Sequence, residues 1–364
     1  MRIALAVDTL DAARGGAERG IAALGRALSD RGHAVTLVCA RTSAPDPRWT
    51  VRTLKRPRLL KFRRVRGFAL AASRILPEYE ASVSFGDIPG AGVYLPHGGV
   101  WASWRKQEIA SSETRAEAKA RAQAIDRSPR QRAARELEEA TLRHPGLKGV
   151  IALSHMVRDN LKYTAGYEGP VAVIPNGIVL PGPAPRQRRP GPPRLLFAAH
   201  NFRLKGLANF VRIVARLKDT EGIIAGRGGP LLYRRLARKL GCAGRLRFLG
   251  GDASMEALYS EADVLVQPTF YDPCSLTTLE ALARGIPVVT SRLNGAGELI
   301  RLTGAGAVVS DPRNDAAFAE AVERVLAHPD PDAALRTAGS VAEPGQTLKA
   351  VQQIEAWHGI MRAP

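Results

Sequence analysis

Aromatic residues make up only 5% of this 364-residue sequence. Proteins that read nucleic acid by stacking interleave aromatics with cations. No such interleaving occurs, and no known reader module is present, so nucleic acid is excluded as the expected partner despite a formal charge of +19. Cysteine is scarce: Cys39, Cys242 and Cys274 are scattered and odd in number. They form neither a disulfide framework nor a CxxC metal site, and a reducing cytoplasm is the simplest home. No apolar run approaches the length of a membrane span. The opening Met1-Arg2-Ile3-Ala4-Leu5-Ala6-Val7-Asp8 is too short for a signal-peptide core and reads as a first strand. The dinucleotide fingerprint GxGxxG is missing from the first βαβ unit.

What is present begins with bulk. Hydrophobic residues reach 45%, which makes the chain globular, and its length suits two domains rather than one core. Lys and Arg number 53 against 34 Asp and Glu. That excess asks for a phosphorylated substrate or an anionic membrane surface, although an arginine-rich codon bias would also contribute.

One stretch organises the rest. Asp263 to Val266 reads as a buried strand ended by Pro268. A loop runs to Asp272-Pro273, an acid-proline pair suited to cap a helix. Leu276, Leu279, Leu282 and Ala283 then recur at helical spacing, Gly285 stops the helix, and Ile286 to Thr290 is the next strand. Free N–H groups near Cys274, Ser275, Leu276 and Thr277 suit a phosphate. Glu280, about two turns further on, suits ribose hydroxyls. The plainer alternative makes Asp272 a cap and Glu280 half of a surface pair.

The rest of the chain agrees with that core. Ile3 to Val7, a helix from Ala17 to Ser29, and Ala34 to Cys39 form a βαβ start, with Gly15 and Gly16 at the helix N-terminus leaving room and N–H groups for a ligand. Positions 52–66 are densely basic, with Leu59, Phe62 and Val65 at helical spacing. They read as a solvated loop or as an amphipathic contact with anionic lipid. Pro96-His97-Gly98-Gly99 follows a strand, where open α/β sheets place ligands. Positions 101–144 are mostly helical and broken at Ser128-Pro129. The proline-rich run 181–193 marks a hinge. Beyond it, Arg203 and Lys205 sit in a βα loop suited to a diphosphate. Asp330-Pro331-Asp332 mimics a DxD metal motif but reads as a turn.

The sequence Asp272-Pro-Cys-Ser-Leu-Thr-Thr-Leu-Glu280-Ala-Leu-Ala-Arg-Gly-Ile-Pro-Val-Val resembles the donor-site motif of the retaining family 4 glycosyltransferases of GT-B fold. Asp272 stands where the family usually has Glu, and Ser275 where it usually has Gly. Gly15-Gly-Ala-Glu, the Leu28 to Thr36 block and Pro175-Asn-Gly-Ile extend the likeness. Pro96-His-Gly-Gly, Arg143-His-Pro and Phe202 to Gly206 point within the family to the glucosyltransferases of lipopolysaccharide core heptose. The Arg, however, lies one place earlier than in that pattern.

The resemblance implies an α/β fold of two Rossmann-like domains facing across a cleft. It places the acceptor domain at 1–180, the hinge at 181–193, the nucleotide-sugar domain at 194–345, and at 346–364 a helix crossing back. It implies retaining transfer of a hexose from a nucleotide diphosphate sugar, UDP-glucose first, to a saccharide or glycolipid. His97, Asp272, Arg203 and Lys205 are the catalytic candidates. Gly15, Gly16, Arg203, Lys205, Cys274, Ser275, Leu276, Thr277 and Glu280 are the donor-binding ones. No metal or other cofactor is expected, and the enzyme would be cytoplasmic, peripheral on the inner membrane face. An epimerase on the same fold and a non-catalytic membrane-associated scaffold are the alternatives.

Overall fold

The computed structural model describes all residues except 12–15, 44, 56–60, 182–189 and 360–364, and describes the backbone alone at 16, 17, 61 and 62. Gly15, Arg56, Arg58, Leu59 and most of the proline-rich run therefore lie outside the described residues. Two compact units divide the chain. The first is Met1–Lys106, Lys119–Gly177 and Glu343–Pro364; the second is Gln107–Ala118 and Ile178–Ala342.

The sheet of the first unit contains β1 (Arg2–Ala6), β2 (Ala34–Cys39), β3 (Thr50–Thr53), β4 (Ala81–Ser84), β5 (Val93–Tyr94), β6 (Gly149–Ala152) and β7 (Val171–Val173). Their order is β3-β2-β1-β4-β5-β6-β7, every pair parallel. Ile3, Ala4, Leu5 and Ala6 are wholly buried. Burial on both faces is what turns a central parallel strand into a continuous apolar run. One face is covered by the helices Gly16–Asp30 and Glu343–Trp357, whose Ile21, Leu24, Leu28, Val351 and Ile354 join the strand residues in one core. The second of these helices is fixed there by Glu355, which accepts from Arg31 Nη2 at 2.8 Å and lies 2.8 Å from His33 Nε2.

The helix Lys61–Ile75 covers the other face with Phe68, Ala69 and Ala72. Arg63 and Arg66 face outward, with Val65 and Leu70 exposed beside them. Within the basic run, Arg52 pairs with Glu78 at 2.6 Å and Arg66 with Glu136 at 3.3 Å. Positions 101–144 form the helices Trp101–Ala110, Arg115–Arg127 and Pro129–Leu142, the last capped by Ser128.

The second unit repeats the plan with β8 (Arg194–Ala198), β9 (Glu221–Ala225), β10 (Leu246–Phe248), β11 (Val264–Gln267), β12 (Val288–Ser291) and β13 (Gly306–Val309). The order is β10-β9-β8-β11-β12-β13, again all parallel. Leu195, Phe197, Phe210, Ile224, Val266 and Phe318 centre its core. Each sheet reverses direction beside its first strand, between β1 and β4 and between β8 and β11. Open α/β sheets bind ligands beyond the strand carboxyl ends at such a point. Asp330-Pro331-Asp332 is not a turn but a helix start: Asp330 Oδ1 accepts from Ala333 N–H at 2.7 Å, and the helix Pro331–Ser340 follows. No helix among the described residues is long and apolar enough to cross a membrane.

Candidate functional site

The loops leaving β8 and β11 meet at the switch point of the second sheet. Gly206 makes the approach possible. Its φ is 81°, and a Cβ there would lie 2.1 Å from the Pro268 carbonyl oxygen, so only glycine fits. The loop residues alternate in role. Phe202 and Leu204 are buried, Phe202 with its edge toward Phe197 at 6.1 Å. Arg203 and Lys205 are left to the polar side. Lys205 Nζ donates to Asp272 Oδ2 at 2.6 Å and to the Tyr271 carbonyl at 3.0 Å. The switch point thus joins the cation and the carboxylate that the sequence singled out separately.

Asp272 does not cap the helix. That helix is Leu276–Leu282, and Ser275 is its N-cap, with Oγ accepting from Thr278 N–H at 3.3 Å. The reason is tertiary. The Asp272 carboxylate is taken by Lys205. Its backbone is tied to the loop after β12, its N–H donating to the Leu293 carbonyl at 2.9 Å and its carbonyl accepting from Gly295 N–H at 2.8 Å. The cradle of N–H groups is also smaller than expected, because Ser275 N–H donates to Asn294 Oδ1 at 3.3 Å. Cys274 is buried, and Leu276 and Thr277 supply the first-turn N–H groups.

A buried polar network holds this loop, and sequence reasoning missed it. Gln267, at the end of β11, accepts from Ser275 Oγ at 3.0 Å and Thr278 Oγ1 at 3.2 Å, and donates to the Ala198 carbonyl at 3.1 Å. Asn294 Nδ2 donates to Thr278 Oγ1 at 3.0 Å and Thr290 Oγ1 at 3.1 Å. Buried polar groups persist in a core only when satisfied, and here each spans two or more elements. The only local signal was a polar residue ending an apolar strand.

The remaining candidates divide. Glu280 makes no mere surface pair: it accepts from the buried Tyr259 hydroxyl at 2.8 Å. Arg203 is not presented as a bare cation, since its Nη2 donates to the buried Glu108 carboxylate. Glu108 belongs to the Gln107–Ala118 segment of the second unit. The same segment receives Arg212 on Glu113 and Arg313 on the Ala110 carbonyl. His97 and Gly16 belong to the first unit. The His97 ring lies 5.9 Å from that of Phe85, and its Nε2 is buried with no hydrogen-bond partner among the described residues. Burial pushes its pKa down to about 4, so the ring is neutral near pH 7. Among the described residues, no group of three or more His, Cys, Asp or Glu is placed to hold a metal ion.

Two family models match the chain. Glycosyltransferase Family 4 covers residues 14–180, and Glycosyl transferases group 1 covers residues 192–328. The glycogen synthase of Mycobacterium tuberculosis is 37% identical over 177 residues, covering 46% of this chain and 42% of the relative. The lipopolysaccharide glucosyltransferase WaaG of Escherichia coli K12 is 26% identical over 137 residues, 36% of this chain and 37% of the relative. The matched segments thus span less than half the length of these relatives. The crystal structure of a WaaG, a glycosyltransferase involved in lipopolysaccharide biosynthesis, superimposes with a TM-score of 0.76 at 19% identity, covering 97% of this chain and 99% of that one. That likeness is one of fold: two parallel-sheet α/β domains of GT-B type.

Proposed function

The chain belongs to the family 4, group 1 glycosyltransferases, and on that premise we propose that it transfers a hexose from a nucleotide diphosphate sugar to a saccharide or glycolipid. The observation that carries the proposal is the Lys205–Asp272 pair at the switch point, 2.6 Å apart and set against a capped helix start. Donor cleavage builds negative charge on the leaving diphosphate. A preorganised cation and N–H groups stabilise that charge without reorganising at the moment of reaction. Lys205 supplies the cation, and Leu276 and Thr277 supply the N–H groups. Arg203 joins them only by exchanging Glu108 for a phosphate oxygen. Glu280 takes the ribose hydroxyls.

Asp272 serves first to hold Lys205 in place and then, with a donor bound, to face the sugar. His97, neutral and with no partner for Nε2 among the described residues, is suited to accept from or donate to a sugar hydroxyl. Transfer with retention, and without a metal, follows from this reading. UDP-glucose is the first donor to test, and a lipopolysaccharide core heptose the first acceptor, because glucosyl transfer is named in a matched relative. The exposed cations and apolar residues of the helix Lys61–Ile75 would bring the enzyme to an anionic membrane that carries such an acceptor.

The test is transfer from UDP-glucose to a heptose-terminated core oligosaccharide, with the anomeric configuration of the product read by NMR. Lys205→Ala should lower transfer roughly tenfold to a hundredfold, the weight of one charge-assisted hydrogen bond. An unchanged rate in that variant would remove Lys205 from the site. An epimerised nucleotide sugar with no acceptor product would replace the transferase reading with an epimerase.

A further inference from the structure

We propose that Tyr259 is a positioning residue for Glu280, fixing the carboxylate that reads the donor's ribose. The inference rests on the donor-site reading above and adds a residue to it. Tyr259 lies in the helix Met255–Glu261, outside the Asp272 to Val289 motif, and its ring is almost wholly buried. Its hydroxyl has two acceptors in reach: Glu280 Oε2 at 2.8 Å and the Thr277 carbonyl at 3.4 Å. A phenol has one hydrogen to give. The shorter, charge-assisted contact takes it.

The phenol stays protonated, and so remains a donor, because burial first and the Glu280 charge second push its pKa well above the ordinary tyrosine value. Phenylalanine would fill the same space. The hydroxyl therefore serves the carboxylate rather than the packing.

The tyrosine is itself held. The Arg284 guanidinium carbon lies 4.7 Å from the ring centroid, a cation–π contact. Arg284 also donates to the Glu280 backbone carbonyl at 3.0 Å and to the Glu256 carboxylate. The helix Met255–Glu261 thus meets the helix Leu276–Leu282 and its C-terminal end twice: Tyr259 donates to the Glu280 side chain, and Glu256 accepts from Arg284, which also closes back onto the Glu280 carbonyl one turn before it. A carboxylate on a seven-residue helix has several rotamers to lose before it can accept from two vicinal hydroxyls. Removing that freedom beforehand is preorganisation, and it strengthens binding without a new ligand contact.

The experiment uses the full chain and three probes: UDP, its 2′,3′-dideoxy analogue, and UDP-glucose turnover, with GDP and ADP beside them in the binding step. Tyr259→Phe should weaken UDP roughly fivefold to tenfold, about one hydrogen bond. KM for UDP-glucose should rise by a similar factor with kcat within twofold. Dideoxy-UDP, which has no hydroxyls for Glu280, should bind the variant and the wild type alike. Glu280→Gln should lose at least as much on UDP, and the double variant should lose less than the product of the two singles, because the residues act as one unit. Equal loss on UDP and dideoxy-UDP, or no loss on either, overturns the assignment. If Tyr259→Phe does not fold, Arg284→Gln probes the same support through the ring it holds, and the same contrast between the two probes decides. A wild-type protein that binds none of the three diphosphates overturns the donor-site reading itself, and this inference with it.

Discussion

Arg203 and Glu108 form a pair whose two ends differ in burial: the arginine side chain keeps 27% of its exposure and the carboxylate 7%. That asymmetry orders the two single substitutions. Arg203→Met takes the cation away from a buried carboxylate. Breaking a fully buried pair costs about 3–5 kcal/mol, and solvent at the arginine end reduces this to roughly 2 kcal/mol. Glu108→Gln strands nothing, because an amide oxygen still accepts and the guanidinium still reaches water, so its cost should stay under about 1 kcal/mol. The donor responds in the opposite order. A diphosphate that shares Arg203 competes with Glu108, so Glu108→Gln should lower KM for the donor a few-fold while Arg203→Met raises it. Denaturant melts of both variants, with donor KM measured beside them, check this. A donor KM unmoved by Glu108→Gln would confine Arg203 to holding the Gln107–Ala118 segment.

At the scale of the element, the helix Leu276–Leu282 depends on one hydroxyl. Ser275 Oγ accepts from Thr278 N–H and donates to Gln267, capping the helix and joining it to the end of β11. Ser275→Ala removes both bonds and leaves the Gln267 amide oxygen with one donor fewer in a buried place. The cap alone is worth about 1 kcal/mol. The melting temperature of the variant should therefore fall by a few degrees, about 2–4 °C per kcal/mol for a domain of this size. Ser275→Gly should retain more, since glycine is a tolerable cap. If alanine and glycine both melt with the wild type, the hydroxyl bears no load.

The same element shows what was legible beforehand. The strand, loop, helix, strand order followed from apolar spacing and from Gly285. Those signals act within a few residues. The cap did not, because Asp272-Pro273 is the stronger local signal and loses to Lys205, 67 positions away, and to the backbone of the loop after β12. Glu108 was invisible for the same reason, 95 positions from the arginine it meets. Tyr259 carries no local signal, since nothing in the sequence distinguishes a tyrosine that packs from one that also orients a carboxylate. Local patterns specify elements, whereas long-range partners decide which polar side chain takes which role.

For the whole molecule the open question is whether the charge of +19 acts as a general field or through a particular surface. A general field attracts the protein to any anionic surface in any orientation, and every exposed cation counts alike. A particular surface adds apolar contact to charge. The helix Lys61–Ile75 offers both: Arg63 is exposed, Arg64 half-buried, and Val65 and Leu70 keep 43% and 45% of their exposure among the cations. The helix Arg115–Arg127 supplies the comparison, since its Arg115 and Lys119 are also exposed but no large apolar residue is exposed along it. Binding to phosphatidylglycerol vesicles should exceed binding to phosphatidylcholine vesicles and weaken with salt, as the screening length falls to ~10 Å at 0.1 M. Each cation near such a surface contributes about 1 kcal/mol. Replacing Arg63 and Arg64 by Gln should then cost roughly thirtyfold in vesicle affinity, and Val65→Ser should deepen the loss. The same two-charge change at Arg115 and Lys119 should cost far less, although it alters the net charge identically. Vesicle flotation of the two double variants is the measurement. Equal losses would return the whole effect to net charge and leave the helix Lys61–Ile75 as a solvated face of the first unit.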